Sequence, residues 1–206
     1  MNGEQETPAA APSLSFVLPA AIAVLTLATM IGGNDLALWL RYDRSGILAG
    51  EVWRLLTAHL CHLGWKHLAM NLAGLFLIWA LFGRLLSTGA WIAVLLTSAL
   101  AVGLGLLLLN PDIQWYVGLS GVLHGMFLAG ALMSLFAGYR AEILLLLFII
   151  GKLAWEQFNG ALPGSESFAG GYVVVDSHLY GALAGTAVAL VLQGLRLLKK
   201  SPPAPL

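Results

Sequence analysis

The sequence predicts an all-α membrane protein, a bundle of six transmembrane helices with a long membrane-embedded first loop. Of its 206 residues, 59% are hydrophobic and 10% are charged, a composition typical of integral membrane proteins. Crossing the hydrocarbon takes about 20 apolar residues at about 1.5 Å of rise each. Several windows reach that length, and glycine, proline and charged residues separate them. These windows predict one compact helical bundle.

The lengths of the apolar runs, and the glycine, proline and charged residues between them, predict six segments within a core of residues 14–198. The segments cover residues 14–33, 67–83, 90–109, 118–138, 143–158 and 177–198. Residues 1–13 and 199–206 are predicted to be flexible tails. The first twelve residues include two glutamates and no basic residue, so they lack the positive start of a cleavable signal peptide. The first apolar segment is therefore expected to be retained as a helix.

The connection between the first two segments, residues 34–66, is predicted to lie in the membrane interface. It mixes tryptophan, arginine and leucine, and tryptophan rings and arginine heads settle at headgroup depth. With six helices both termini share one side of the membrane. The basic residues on that side are Arg84, Arg140, Arg196, Lys199 and Lys200, and those on the far side all lie in the long connection. The positive-inside rule then favours cytoplasmic termini.

Charge and cysteine usage argue against a nucleic-acid-binding protein and against an internal disulfide. The formal net charge is zero, and no basic run is longer than Lys199–Lys200, so no nucleic-acid partner is expected. Cys61 is the single cysteine and cannot form an internal disulfide. The lipid bilayer is the predicted surrounding, and the oligomeric state is left open.

Polar side chains interrupt the beginnings of the second, fourth and sixth segments. They are His67 and Asn71, Ser120 and His124, and His178. Even-numbered helices of a bundle start on the same side of the membrane, so these five side chains are expected at one depth. His67 and Asn71 share a helix face because they are four residues apart, and so do Ser120 and His124.

Glycines at helical spacing accompany two of these segments. They are Gly121 and Gly125 in the fourth segment and Gly181 and Gly185 in the sixth. Small residues at such spacing let transmembrane helices approach closely. The fourth and sixth helices are therefore expected to pack tightly enough for a hydrogen bond between Ser120 and His178.

A serine beside a neutral imidazole is a nucleophile beside its base. Ser120 lies at the start of a helix, where free N–H groups and the positive dipole end stabilise a developing oxyanion. His67 and Asn71 add side-chain donors to the same hole. The predicted site is a Ser120–His178 dyad without a carboxylate, since Asp176 is expected on another face of its helix.

Purely structural explanations compete with this prediction. Any one of the five polar residues alone is best explained by hydrogen bonding between helices, whereas all five at one depth indicate a functional site. Lys152 and Glu156 are four apart on the fifth segment. Mutual pairing near the outer interface is the favoured explanation for these two charges, and a role in gating substrate entry is the alternative.

Two metal-based alternatives are weaker. The sequence Asn110–Pro111–Asp112 is similar to an element of intramembrane metalloproteases, but those also need His-Glu-x-x-His, which this sequence lacks. It is interpreted as a turn. His59 and His62 could join His67 in a metal site, but no carboxylate supports them, and local hydrogen bonding is favoured. No metal and no other cofactor is predicted.

Four motifs together resemble the rhomboid family of intramembrane serine proteases. They are EVWR at 51–54, HLGWKHLAMN at 62–71, GLSG at 118–121 and HLYGALAG at 178–185. They occur in the family's order over about 135 residues, each on the expected element of a six-helix core. The ordered set is much more specific than any one motif.

The resemblance implies a mechanism and a location. Ser120 is the expected nucleophile and His178 its base, with His67, Asn71 and Gly118 around the oxyanion hole together with the backbone N–H of Ser120. No cofactor is implied. The implied setting is the bacterial inner membrane, with both termini in the cytoplasm and the cavity open to the periplasm. Membrane-anchored proteins are the implied substrates.

One position departs from the common family pattern. Many rhomboids have an aromatic residue four positions after the serine, whereas this chain has His124. GLSGVLHG in a short chain resembles the rhombosortase branch, which implies cleavage of a C-terminal Gly-Gly-type sorting signal. His124 is expected to support the dyad by stacking on His178 or by hydrogen bonding, with simple space filling as the alternative. The rival from another class is a non-enzymatic adaptor or chaperone that binds unstable transmembrane segments.

Overall fold

A computed structural model describes residues 15–200, with the side chains of 15–199. The predicted N-terminal tail and residues 201–206 of the predicted C-terminal tail lie outside the described residues. The helices are α1 Val17–Ile31, α2 Gly33–Leu40, α3 Arg44–Leu48, α4 Arg54–Thr57, α5 Trp65–Phe82, α6 Thr88–Leu109, α7 Ser120–Phe136, α8 Glu142–Asn159, α9 Ser165–Ala169 and α10 Val175–Lys200, and the strands are β1 Tyr42–Asp43 and β2 Trp115–Tyr116. A 3₁₀ turn, Ala58–Leu60, precedes α5.

Each predicted apolar segment coincides with one long helix, namely α1, α5, α6, α7, α8 or α10. Of the described helices, α5, α6 and α10 are long and apolar enough to cross a membrane by length and composition, and α1 and α7 are apolar but shorter. The remaining long helix, α8, carries three charged residues, Glu142, Lys152 and Glu156. The fold is therefore helical, as predicted, with at least three candidate membrane spans.

Helix α7 lies at the centre of the bundle and packs against α5, α6, α8 and α10. Its Met126 and Met133 are fully buried, together with Leu75, Phe82 and Trp91 of the surrounding helices. Burying each large apolar side chain stabilises the fold by about 1.5–3 kcal/mol relative to leaving it in water, although exposure to lipid costs less. The core thus fixes the central helix that begins at Ser120.

Helices α7 and α10 make the closest packing of the bundle through their glycines. A Cβ atom added at Gly181 would collide with the carbonyl group of Gly121, and one added at Gly185 would collide with the carbonyl group of Gly125. Since backbone atoms of one helix fill the space that a side chain would need on the other, only glycine fits at these two positions. The two helices therefore lie in backbone contact at both glycine pairs.

The connection between α1 and α5 folds into short helices and holds the segment that leads into α7. Strand β1 pairs with β2 in antiparallel register, with Tyr42 opposite Tyr116. The Tyr116 hydroxyl donates to the carbonyl of Gly118 at 2.9 Å, and a ring nitrogen of His59 lies 3.2 Å from the same oxygen. Gly118 has φ +130°, which side chains disfavour. These contacts set where α7 begins.

Candidate functional site

A cavity of about 300 Å³ lies between α5, α7, α8 and α10. All five polar residues that the sequence places at one depth line it, namely His67, Asn71, Ser120, His124 and His178. Lys152 and Glu156 of α8 line it as well. The first turns of α5, α7 and α10 thus face one space, as helix counting predicts, and α8 adds two charges to it.

Ser120 and His178 are in hydrogen-bond contact. The Ser120 hydroxyl oxygen lies 2.9 Å from His178 Nε2, although 58 positions separate the residues in the chain. Ser120 is the first residue of α7 and His178 the fourth of α10. The glycine contacts between these helices bring their backbones close enough for the two side chains to meet. His178 is only 5% exposed, so its ring has little freedom to turn away.

A carboxylate completes this arrangement, contrary to the expectation of a dyad without one. Glu156 Oε2 lies 2.9 Å from His178 Nδ1, and Glu156 is only 3% exposed. Asp176, which is expected on another face of its helix, accepts from Asn110 at 2.6 Å instead. The acid comes from α8, a helix that periodicity alone could not orient toward His178. A charged pair inside an apolar segment is the signal that could have found it.

Lys152 and His124 extend the contacts around the cavity. Lys152 Nζ lies 2.6 Å from Glu156 Oε2 and 2.9 Å from His124 Nε2. His124 Nδ1 lies 2.7 Å from the carbonyl oxygen of Ser120. The favoured pairing of Lys152 with Glu156 is therefore present, but both groups also bind histidines of the site. His124 stacks on His178 with ring centroids 4.2 Å apart and planes at 17°.

His67 and Asn71 lie beside Ser120 without a hydrogen bond to its hydroxyl. Asn71 Nδ2 donates to the carbonyl of His67 at 3.1 Å, and the backbone N–H of Leu63 points to His67 Nδ1 at 3.4 Å. Both side chains are buried. Because the Leu63 N–H needs an acceptor, His67 Nδ1 carries no proton and Nε2 is the ring's donor. This donor lies beside Gly118, 3.3 Å from the position that a Cβ atom of that residue would take.

Gly118 differs from its expected part in the oxyanion hole. Its N–H donates to the carbonyl of Ala58 at 3.2 Å, and its carbonyl accepts from Tyr116. Both backbone groups are thus engaged, and Gly118 shapes the loop instead of offering a free donor. The backbone N–H of Ser120 remains as a candidate donor, since the first turn of a helix has no internal acceptors for its N–H groups.

His59 and His62 contact backbone carbonyl groups, which for His62 are local as expected and for His59 are distant in the sequence. The ring nitrogens of His59 lie 3.2 Å from the Gly118 carbonyl and 3.0 Å from the Ala99 carbonyl. His62 Nδ1 lies 3.2 Å from the carbonyl of Leu60. Burial, together with the neighbouring His67, lowers the pKa of His62 to about 4, so this imidazole is neutral near pH 7. Asn110–Pro111–Asp112 ends α6 and continues into a turn, as predicted.

Among the described residues, His124, Glu156 and His178 are the one group of three potential metal ligands, with ligand atoms within 4.8 Å of one another. Lys152 Nζ lies 2.9 Å from His124 Nε2, 2.6 Å from Glu156 Oε2 and 3.4 Å from His178 Nδ1. The ammonium group therefore occupies the position that a cation would need. The four side chains form a charge-paired network.

Comparison with known proteins agrees with the motifs. The sequence profile of the rhomboid domain matches residues 49–194, which is more than half of the chain and covers α5, α7, α8 and most of α10. The match includes Ser120, His178 and both glycine pairs, and it begins two residues before the EVWR motif.

Several curated proteins are similar to this chain. The putative rhomboid protease YdcA of Bacillus subtilis is 31% identical over 128 residues, which cover 61% of this chain and 64% of the relative. The chloroplastic rhomboid-like protein 11 of Arabidopsis thaliana is 30% identical over 155 residues, which cover 68% and 52%. The rhomboid protease GlpG of Salmonella typhi is 26% identical over 187 residues, which cover 88% and 63%. The chain spans less than two thirds of the length of each.

Proposed function

The chain belongs to the rhomboid family, and from this premise we propose that it is an intramembrane serine protease that cuts membrane-anchored proteins. The contact of 2.9 Å between the Ser120 hydroxyl and His178 Nε2 carries the proposal. A weak nucleophile needs an adjacent base within this distance, and an imidazole provides one near pH 7. The cavity beside the contact offers space for an extended peptide segment.

The proposed reaction proceeds through an acyl-enzyme. Ser120 Oγ attacks the scissile carbonyl carbon while its proton passes to His178 Nε2. The tetrahedral intermediate collapses as the C–N bond breaks, and His178 returns the proton to the leaving amine. Water then attacks the ester, again with His178 as base, and releases the new C-terminus and Ser120.

The developing oxyanion is proposed to lie at the N-terminus of α7. The backbone N–H of Ser120 and the helix dipole favour negative charge there. Asn71 and His67 line the same cavity, and their Nδ2 and Nε2 groups are the proposed further donors. Gly118 serves this hole indirectly, because its φ of +130° and its backbone bonds to Ala58 and Tyr116 set where α7 begins.

His124 is proposed to support the dyad. Its ring stacks on that of His178, which limits rotation of the base. Its Nδ1–H donates to the Ser120 carbonyl at 2.7 Å, which fixes the first turn of α7. The two contacts favour an orienting role over simple space filling.

All six long helices are proposed to cross the bacterial inner membrane, with both termini in the cytoplasm and the cavity open to the periplasm. The charges of α8 are the main obstacle to this topology. Glu156 is 3% exposed and the side chain of Lys152 is 17% exposed, so both face the cavity and each other. Phe148 and Leu144, in contrast, are exposed on the outside of the same helix. Charges paired inside a bundle are tolerated in a spanning helix.

The proposed substrate is an exported protein with a C-terminal sorting signal that contains a Gly-Gly motif, a transmembrane helix and a basic tail. The proposal rests on GLSGVLHG and on the stacking of His124, the residue that separates this chain from commoner rhomboids. Glycines weaken a helix by about 1 kcal/mol each relative to alanine. They would therefore help a transmembrane segment to unwind into the cavity.

Purified full-length chain in lipid vesicles tests this function with a reporter that carries such a signal. We expect cleavage near the Gly-Gly motif, read as a new C-terminus by mass spectrometry, and no cleavage when both glycines are replaced by leucine. Cleavage only at sites away from the motif would overturn the substrate assignment. Stable capture of an uncut reporter would favour the adaptor, which uses the same cavity for binding alone.

Replacing Asn71 by alanine is expected to lower kcat for the reporter about 10²-fold, since loss of one oxyanion donor costs this much or more in other serine proteases. KM should change little, because the donor acts on the charge of the transition state. Asn159→Ala is the matched control: Asn159 Nδ2 also donates to the carbonyl four residues earlier, but outside the cavity. Equal kcat in the two variants would remove Asn71 from the oxyanion hole.

A further inference from the structure

Glu156 and Lys152 are two buried or partly buried charges that the dyad mechanism leaves unused. They belong to a closed ring of contacts that also contains Ser120, His124 and His178. The ring consists of the contacts Ser120–His178 at 2.9 Å, His178–Glu156 at 2.9 Å, Glu156–Lys152 at 2.6 Å, Lys152–His124 at 2.9 Å and His124–Ser120 at 2.7 Å. Each contact joins one potential donor to one potential acceptor.

The chemistry of the groups fixes the direction of every hydrogen bond in this ring. The Glu156 carboxylate only accepts, so His178 Nδ1 must carry a proton and donate to it. His178 Nε2 is then the free acceptor for the Ser120 hydroxyl. The Ser120 carbonyl also only accepts, so His124 Nδ1 donates to it and His124 Nε2 accepts from Lys152. The ammonium of Lys152 donates to both His124 and Glu156.

The charges of the ring balance in its resting state. Glu156 contributes one negative charge and Lys152 one positive charge, and their side chains lie in contact. When His178 accepts the proton of Ser120, a second positive charge forms on the His178 imidazole. Its Nδ1 lies 2.9 Å from the Glu156 carboxylate. A buried cation is costly without a counter-ion, and Glu156 supplies this counter-ion where the charge develops.

We infer that Glu156 is the positioning residue of His178 and that Lys152 holds its carboxylate in place, so that the site works as a Ser120–His178–Glu156 triad. The inference deepens the proposed function and rests on it. Glu156 keeps the proton of His178 on Nδ1, aims Nε2 at the serine and stabilises the imidazolium. Lys152 contacts both Glu156 and His124. It thereby links the carboxylate that contacts His178 to the histidine that stacks on His178.

A fluorophosphonate probe tests the role of Glu156 without a known substrate. It forms an O–P bond with Ser120 as the P–F bond breaks, and the serine proton leaves through His178 with fluoride. We expect Glu156→Gln to lower the rate constant of bond formation about 10³- to 10⁴-fold, with unchanged probe binding before that step. Replacing the triad carboxylate by an amide in a soluble serine protease lowers kcat about 10⁴-fold because the histidine adopts the wrong tautomer.

The matched control is Glu142→Gln on the same helix. Glu142 lies at the other end of α8, where its carboxylate accepts from Ser134, and a glutamine oxygen can accept the same bond. This variant should be labelled within about twofold of wild type. Glu156→Asp, which retains the negative charge, should recover part of the rate that Glu156→Gln loses. A structural role would instead reduce the yield of folded protein and leave the rate per folded molecule unchanged.

A second measurement needs no change at Glu156. In protein with ¹⁵N-labelled histidine, the ring shifts of His178, assigned by comparison with His178→Gln, should show a proton on Nδ1 at neutral pH. A proton on Nε2 alone would overturn the inference even where the Glu156→Gln protein does not accumulate. Equal labelling of wild type and folded Glu156→Gln would overturn the inference and leave the protease function intact. Absence of both labelling and reporter cleavage in wild type would overturn both.

Discussion

Ser120→Ala is expected to lower turnover of the reporter by about 10⁶-fold, since removing the nucleophile from a soluble serine protease costs about this much. The loss should appear in kcat, because the Ser120 hydroxyl is the proposed attacking group and alanine has no group to replace it. Reporter binding should persist, since the cavity keeps its other lining residues. The measurement is kcat and KM of purified protein in vesicles, with mass spectrometry of any product.

Ser134→Ala is the matched control for this loss. Ser134 lies on the same helix and is also buried, but its hydroxyl donates to Glu142 at 2.8 Å near the opposite end of α7. Turnover per folded molecule should therefore stay close to wild type. Cleavage of the reporter by Ser120→Ala at the wild-type rate would exclude the serine mechanism. Normal binding without cleavage in wild type itself would favour the adaptor.

The helices were predictable because each depends on a local property of the sequence. A run of apolar residues must satisfy its own backbone groups in lipid, so length and polarity locate it. The shared level of His67, Ser120 and His178 follows from counting helices along the chain. All three line one cavity. The four-residue spacing of the polar residues gives the helix face they share, and no further information on helix rotation is needed.

The contact of Glu156 with His178 was not predictable in this way. Its orientation depends on how α8 rotates against α7 and α10, and the buried seam of α8 contains only Leu146, Ile149, Leu153 and Glu156. Apolar residues surround the whole helix, so the apolar pattern gives no unique inward face. The charged pair was visible in the sequence, but pairing between Lys152 and Glu156 already explained both charges. No further partner was therefore expected. The contact between Glu156 and His178 depends on tertiary packing.

Gly118 illustrates the same limit at a loop. GLSG placed this glycine near Ser120, but the direction of its N–H depends on Ala58, 60 positions earlier, which accepts the bond. Its carbonyl depends likewise on the tyrosine that β2 places beside it. A motif gives the residues of a loop, whereas the partners of its backbone come from elements distant in sequence.

Gly181→Val is expected to separate α7 from α10 and to lose most activity. A Cβ at this position would collide with the carbonyl group of Gly121, and a backbone group cannot rotate away as a side chain can. Overpacking costs about 1–3 kcal/mol and occasionally more, so we expect the free energy of unfolding to fall by at least about 3 kcal/mol. A misplacement of about 1 Å between reacting groups lowers rates about 10²-fold, and turnover should fall by that factor or more.

Gly194→Val separates this packing effect from the general cost of valine in a transmembrane helix. Gly194 lies on the same helix, and a Cβ there would meet no atom within 4 Å. Its free energy of unfolding, measured by mixed-micelle titration, should stay within about 1 kcal/mol of wild type, since the two residues differ by less than that in helix propensity. Its turnover should be unchanged. If Gly181→Val matched Gly194→Val in both measurements, close contact between Gly121 and Gly181 would not be what holds Ser120 against His178.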